Sequence, residues 1–292
     1  MNSGLSGTPE SVRNAVVTPA WLEQHLDEVG SESPDLRVVE VDLNTAFYDH
    51  GHIPGAVCID WQQQLQHATR RDIPSETALA DLLGERGITE NSTLILYGDN
   101  SNWFAAHLYW MLSYYGHEEM YLLDGGREHW LESGRPTTTA VPSYPRQSYR
   151  TRGPFEHVRA YRSGVKRALS KQTKFVDVRL PEEYDGTILA PPGMTESALR
   201  GGHIPGAKNI VWSENLRSDG RFKSPEALAE LYRNRRIDRD SDVIVYCRIG
   251  ERSSLTWFVL SELLDYPSVR NYDGAWTEWG NLIGVPIATG SD

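Results

Sequence analysis

Two tandem domains of the α/β class, each a parallel, doubly wound sheet with flanking helices, are what three features of this sequence predict. The segment Gly51-His52-Ile53-Pro54-Gly55-Ala56 returns 151 residues later as Gly202-His203-Ile204-Pro205-Gly206-Ala207. Short β-branched runs alternate with helical apolar patterns within each copy, the signature of strands joined by helical crossovers. The chain has 292 residues, long for one core and natural for two.

From the N-terminus, residues 1–15 are polar, and Met1 to Glu10 has neither a charged n-region nor an apolar h-region; the expectation is a disordered start without a secretory signal. A first domain is expected over 16–135. Its Val38-Val39-Glu40-Val41-Asp42-Leu43 run is matched by Phe175-Val176-Asp177-Val178-Arg179-Leu180, and Leu94-Ile95-Leu96-Tyr97 by Val243-Ile244-Val245-Tyr246. Asp124-Gly125-Gly126 followed by Trp130 is matched by Asp273-Gly274-Ala275 followed by Trp279. Parallels in the same order at near-constant offsets mean a duplication. Trp103 to Tyr115 is apolar-rich, but it is too short to span a bilayer and carries His107.

Residues 136–157, with Pro136, Pro142, Pro145 and Pro154, lack hydrophobic periodicity and read as a stiffened linker. The second domain, 158–292, has fully buried strand patterns at Phe175 to Val178 and Val243 to Tyr246. Pro225 to Arg233 reads as a helix with Ser224 as N-cap and Pro225 at its first position. Leu255, Phe258, Val259 and Leu263 give the segment after Cys247 an apolar stripe at helical spacing.

A net charge of −11 argues against nucleic-acid and anionic-membrane partners. Two cysteines make no disulfide framework and fit a reducing compartment, so a cytoplasmic protein is expected. The histidines show no metal-ligand spacing, and no metal or cofactor is expected.

The chemistry concentrates where Val243-Ile244-Val245-Tyr246 breaks into Cys247-Arg248-Ile249-Gly250-Glu251-Arg252-Ser253-Ser254. A cysteine at the carboxyl end of a parallel strand, before a helix, is placed for its sulfur to face loop N–H groups, a setting that favours thiolate and anion. Arg248 and Arg252 against Glu251 give the loop a local positive balance. Gly250 reads as a backbone angle or close approach that a side chain forbids. The other copy has Gly98 where Cys247 stands and Asp99 opposite Arg248, so one half carries the nucleophile and the other supports. Cys58, between Val57 and Ile59, reads as a small core residue. His52 and His203 sit in identical settings although one copy lacks a nucleophile, which favours structural roles over a general base.

Two copies of Gly-His-Ile-Pro-Gly-Ala, a Cys-Arg-x-Gly-x-Arg loop in the second alone, and the Asp-Gly-Gly and Asp-Gly-Ala turns resemble the two-domain rhodaneses, over roughly residues 16 to 287. The loop looks most like that of the actinobacterial-type thiosulfate sulfurtransferases. The resemblance implies ping-pong sulfur transfer: Cys247 takes the sulfane sulfur of an anionic donor as a persulfide and hands it to a thiol or cyanide, without another cofactor. Loop amides with Arg248 and Arg252 are expected to lower the thiol pKa, and residues 248 to 253, including Ile249 and Ser253, to bind the donor. The resemblance further implies that Asp177 with Arg179 braces the loop and that Trp103 and Phe104 line a pocket. Arg200 is a candidate anion ligand. A monomer suffices.

Among donors, thiosulfate is preferred. Mercaptopyruvate enzymes of this family carry an arginine before an aromatic residue, where this chain has Glu183 before Tyr184, and typically a Cys-Gly-x-Gly loop. A cysteine phosphatase is the rival with a related loop, but it needs Cys-x5-Arg, and residue 253 is serine. A persulfide carrier serving a protein partner is the non-enzymatic rival.

Overall fold

The computed structural model describes residues 12–13, 15–33, 35–194 and 197–290. It divides into two compact units, Met1–Phe155 with Ser218–Arg221, and Glu156–Arg217 with Phe222–Asp292. Most of the segment expected to be disordered lies outside the described residues; within it, Val12–Arg13 (β1) pairs antiparallel with Val16–Val17 (β2).

The first unit continues with β3 (Leu36–Asp42), β4 (Val57–Asp60), β5 (Thr93–Tyr97) and β6 (Met120–Leu123). The sheet order is β1-β2-β6-β5-β3-β4, and every pairing after the N-terminal hairpin is parallel. That hairpin is the one departure from the expected all-parallel sheet. Every residue of β3 is buried, including Arg37, Glu40 and Asp42, as a central strand covered on both faces requires.

In the second unit, β7 (Lys174–Asp177), β8 (Lys208–Asn209), β9 (Val243–Tyr246) and β10 (Val269–Asn271) form a wholly parallel sheet in the order β10-β9-β7-β8. The helix Pro225–Arg233 starts as expected: Pro225 opens it, and the Ser224 hydroxyl accepts from Ala227 N. After the cysteine loop, the helix Glu251–Phe258 passes into a π-helical stretch, Val259–Leu263. Residues 251 to 260 are all buried, so the apolar stripe read from the sequence understates how deeply this helix lies.

The duplicated segments fold alike to the level of single hydrogen bonds. Nδ1 of His52 and of His203 lies 2.9 Å from the carbonyl of Tyr48 and of Tyr184, and each imidazole stacks on that tyrosine at 3.7 Å. The tyrosine hydroxyls donate to Ala56 O and Ala207 O. Trp130 and Trp279 each donate through Nε1 to a proline carbonyl, Pro136 and Pro286, at 3.0 Å. Both histidines are therefore committed to backbone that closes a turn.

The proline-rich connection is extended but not free. The Tyr144 hydroxyl bonds the carbonyls of Val29 and Gly55, the Arg37 guanidinium lies 3.7 Å over its ring, and Gln147 N donates to Gly84 O. Residues 136 to 155 are thereby strapped onto the first unit, and the compact second unit begins at Glu156.

Candidate active site

Cys247 follows β9 directly, and the chain turns over three residues into the helix Glu251–Phe258. The turn is possible because Gly250 adopts φ 114°; a Cβ there would sit 3.0 Å from Asp273 Cα. Gly250 N donates to Cys247 Sγ at 3.0 Å, folding the loop back over its own sulfur. The Gly250 carbonyl is pinned from below, accepting from Ser253 Oγ at 3.0 Å, Ser254 Oγ at 2.9 Å and Asn271 Nδ2 at 3.1 Å. Two further carbonyls of the turn are capped by the helix Ala275–Trp279: Trp276 N donates to Cys247 O and Thr277 N to Arg248 O. Three of the four carbonyls of residues 247 to 250 are held in this way, and the loop curls around the sulfur.

The sulfur itself is fully buried, 3.6 Å from Glu251 Oε2. Burial pushes the Cys247 thiol above its usual value, and the Glu251 carboxylate adds to that; Arg252 and the backbone N–H groups of Gly250 and Ser253 pull the other way. This corrects the expected lowered pKa. The amides and arginines are present, but desolvation outweighs them. Burial raises the Glu251 carboxyl too, opposed by Arg252, its own N–H, Arg248 and Cys247.

Arg252 corrects a second expectation. It is buried and bonds Glu183 bidentately, Nη1 to Oε2 at 2.9 Å and Nη2 to Oε1 at 3.1 Å, with Nε 4.0 Å from Glu251 Oε1. Its charge is engaged by carboxylates and ties the loop helix to the helix Pro181–Asp185. Ser253 likewise turns inward, its hydroxyl bonding Gly250 O and Asn271 Oδ1, so it supports the loop from beneath. Arg248, buried, donates to Met194 Sδ at 2.7 Å, while Ile249 is partly exposed.

Asp177 and Arg179 form a buried pair, Nε–Oδ1 2.9 Å and Nη2–Oδ2 2.6 Å, and Arg179 also donates to Gly202 O. The Arg179 guanidinium lies 4.6 Å over the ring of Trp276, whose backbone N–H holds the Cys247 carbonyl. The brace is thus one residue removed from Cys247. Arg200 is exposed; its carbonyl accepts from Trp276 Nε1, and the residue lines a surface hollow with Leu199 and Asn281. It is not brought to the cysteine loop as a ligand. Trp103 and Phe104 belong to the first unit, where Phe104 is buried 5.0 Å from Trp61.

The corresponding loop of the first unit is built differently. Gly98 N donates to Asn102 Oδ1, and Asn100, Ser101 and Asn102 all take left-handed angles, which asparagine tolerates well. Three buried carboxylates gather beneath it. Tyr97 Oη and Arg127 Nη1 both donate to Glu40, and Asp99 N donates to Asp42 Oδ1 at 2.8 Å. Desolvation with the mutual repulsion of neighbours raises Asp42 to about 8 and Asp99 to about 7. The cation has changed sides between copies: Arg179, two residues beyond β7, faces Trp276, whereas at the matching places Asp42 ends β3 and Arg127 follows the Gly-Gly turn.

Asn271, Ser254, Trp276 and Met194 were missed as parts of the site, and Glu183, read only as a donor-selecting position, proves to be the partner of Arg252. The repeat held a signal for one of them: Arg127 and Trp276 occupy equivalent places, and an arginine facing a tryptophan marks a swap. No group of three or more His, Cys, Asp or Glu among the described residues is placed to hold a metal ion.

A family profile described as "Rhodanese-like domain" matches residues 18–133 and 163–282. A Haloferax volcanii protein provisionally named thiosulfate sulfurtransferase is 53% identical over 279 residues, covering 96% of this chain and 98% of that protein. The "Sulfur carrier protein TtuD" of Thermus thermophilus is 49% identical over 282 residues, covering 95% and 97%. Among solved structures, the crystal structure of YnjE superposes with a TM-score of 0.82 at 25% identity, covering 95% of this chain and 69% of that one.

Proposed function

Because the chain belongs to the rhodanese family, with two rhodanese-like domains and sulfur-transfer relatives over nearly its full length, we propose that it moves the sulfane sulfur of thiosulfate to a thiol or cyanide through a persulfide on Cys247. The observation that carries this reading is the sulfur of Cys247 held at a strand end inside a ring of loop backbone, with Gly250 N–H directed at it. Cys247 attacks the outer sulfur of the donor, sulfite leaves, and the persulfide is then attacked by the acceptor. The loop N–H groups that face Sγ are the donors available to negative charge on the transferred sulfur.

The missing arginine clamp favours thiosulfate over mercaptopyruvate. Glu183 stands where the mercaptopyruvate enzymes carry their arginine, and it is occupied by Arg252. Without an arginine at that place to clamp the mercaptopyruvate carboxylate, thiosulfate, which has no carboxylate to hold, is the preferred donor. A phosphatase reading finds no support, since the arginine that would close a phosphate ring is replaced by Ser253, bonded to Gly250 and Asn271.

Transfer to a protein acceptor is the second reading, favoured by the relative named as a sulfur carrier. Intact-mass spectrometry before and after thiosulfate, on wild type and Cys247→Ser, tests the central claim. A gain of one sulfur, about 32 Da, on the wild type alone is expected for a covalent intermediate. No gain with thiosulfate or mercaptopyruvate would refute it.

A further inference from the structure

We propose that Glu251 is a catalytic residue, the acid–base partner of Cys247: its carboxylate takes the Sγ proton as the sulfur attacks and returns it when the sulfur leaves. This deepens the sulfur-transfer reading and rests on it.

The geometry carries the assignment. Cys247 follows β9 and Glu251 opens the helix, and the turn at Gly250 brings their side chains together. Sγ and Oε2 are 3.6 Å apart, close enough for direct transfer, and both groups are buried. A buried thiol that burial and a carboxylate hold protonated needs a proton acceptor inside the same enclosure before it can act as a nucleophile. The histidines of the repeat do not serve, because each is spent on a tyrosine carbonyl. Arg252 does not neutralise Glu251 outright, since its two terminal nitrogens are turned to Glu183.

The step balances. The Sγ–H bond breaks towards Glu251 Oε2 while Sγ bonds the sulfane sulfur; the donor's S–S bond breaks and its electron pair departs on sulfite. Thiol, carboxylate and thiosulfate dianion become persulfide anion, carboxylic acid and sulfite dianion, with total charge unchanged. When an anionic acceptor such as cyanide removes the outer sulfur, Sγ leaves as thiolate and recovers its proton from Glu251. The buried pair thereby holds one proton and one negative charge in the resting state.

The charged groups facing Glu251 are Cys247 and Arg248 from the loop, Arg252 from its own helix and, through Arg252, Glu183 from the helix Pro181–Asp185. Asp273, beside Gly250, is paired with Arg159 at 2.7 Å. A change in the pH profile is therefore assigned by variants of Glu251 itself.

Alkylation by iodoacetamide reads the proton transfer with no sulfur donor present. General-base assistance is worth about 10²–10⁴, so Glu251→Gln is expected to slow alkylation and persulfide formation at pH 7 by about a hundredfold, the gap closing at alkaline pH where hydroxide removes the proton. If Glu251 acts only as a charge that keeps the thiol protonated, Glu251→Gln instead reacts as fast or faster, and the proposal is overturned. Glu251→Asp keeps the carboxylate with shorter reach and guards against a Gln variant that fails to fold. It is expected between wild type and Gln, and a rate equal to or above wild type at pH 7 overturns the proposal. Wild type that alkylates far faster than Glu251→Gln yet gains no sulfur from thiosulfate or mercaptopyruvate refutes the sulfur-transfer reading and leaves the proton relay standing.

Discussion

Arg252 and Glu183 face each other in the second unit with both side chains buried and two parallel N–H···O bonds of 2.9 and 3.1 Å between them. Burial opposes the Arg252 charge, but the Glu183 hydrogen bonds outweigh it and hold the guanidinium firmly protonated. Removing one member of such a pair leaves an uncompensated buried charge, at a cost of about 3–5 kcal/mol. Glu183→Leu and Arg252→Met are each expected to lower the denaturant midpoint sharply, and the two together to recover much of the loss. Single costs that simply add in the double variant would mean the pair is not coupled.

Gly250 gives a test of backbone geometry. With φ 114° and Asp273 Cα 3.0 Å from any added Cβ, Gly250→Ala is strained in both respects, at about 1–3 kcal/mol, and is expected to slow persulfide formation at least tenfold. Gly164→Ala is the control. Gly164 lies in the helix Arg162–Ala168 with only the end of Arg167 near its Cβ position, so alanine there is expected to stabilise by about 0.5–1 kcal/mol. A Gly250→Ala protein with wild-type loop kinetics would mean the turn does not need its left-handed residue.

The carboxylates under the Gly98 loop predict a pH dependence with a definite sign. Asp42 is raised to about 8 and Asp99 to about 7, so the folded state holds protons that the unfolded chain releases at ordinary carboxylate values. That stabilisation is complete at low pH and is lost as pH rises through the folded values, from about 4 to about 8. Asp42→Asn removes the titration while keeping an acceptor for Asp99 N. Its melting temperature is expected to sit near wild type at pH 5 and to exceed it by a few degrees at pH 8. A gap that stays constant across that range would refute the assignment.

His203 separates structure from chemistry. Its imidazole stacks on Tyr184 and bonds the Tyr184 carbonyl, so His203→Ala is expected to cost about 1–3 kcal/mol in thermal or denaturant unfolding. The rate of Cys247 alkylation should not change. A large fall in that rate in a folded His203→Ala protein would return the histidine to the candidates for a base.

The duplication, the buried strands and the position of Cys247 were legible because each depends on local pattern: identical hexapeptides, continuous β-branched runs and a strand-to-helix break. The brace of Asp177 and Arg179 followed from resemblance, and the structure supplies its route through Trp276. What the sequence hid were partners distant along the chain. Arg252 finds Glu183, 69 residues away, and Gly250 O finds Asn271, 21 away, and no periodicity encodes such pairs. The direction of the thiol pKa was hidden for a different reason: counting arginines in a loop ignores how deeply the loop is buried.

Gly98 stands where Cys247 stands, and the space around it carries a consequence for reversibility. A Cβ built on Gly98 would meet the Val41 carbonyl at 2.2 Å and Asp42 Oδ1 at 3.1 Å. Even if the backbone yielded, a sulfur placed there would sit among carboxylates that oppose its ionisation. The first half of the duplication is therefore closed to a sulfur by shape as well as by charge, and Gly98→Cys alone would not reproduce the setting of Cys247 there.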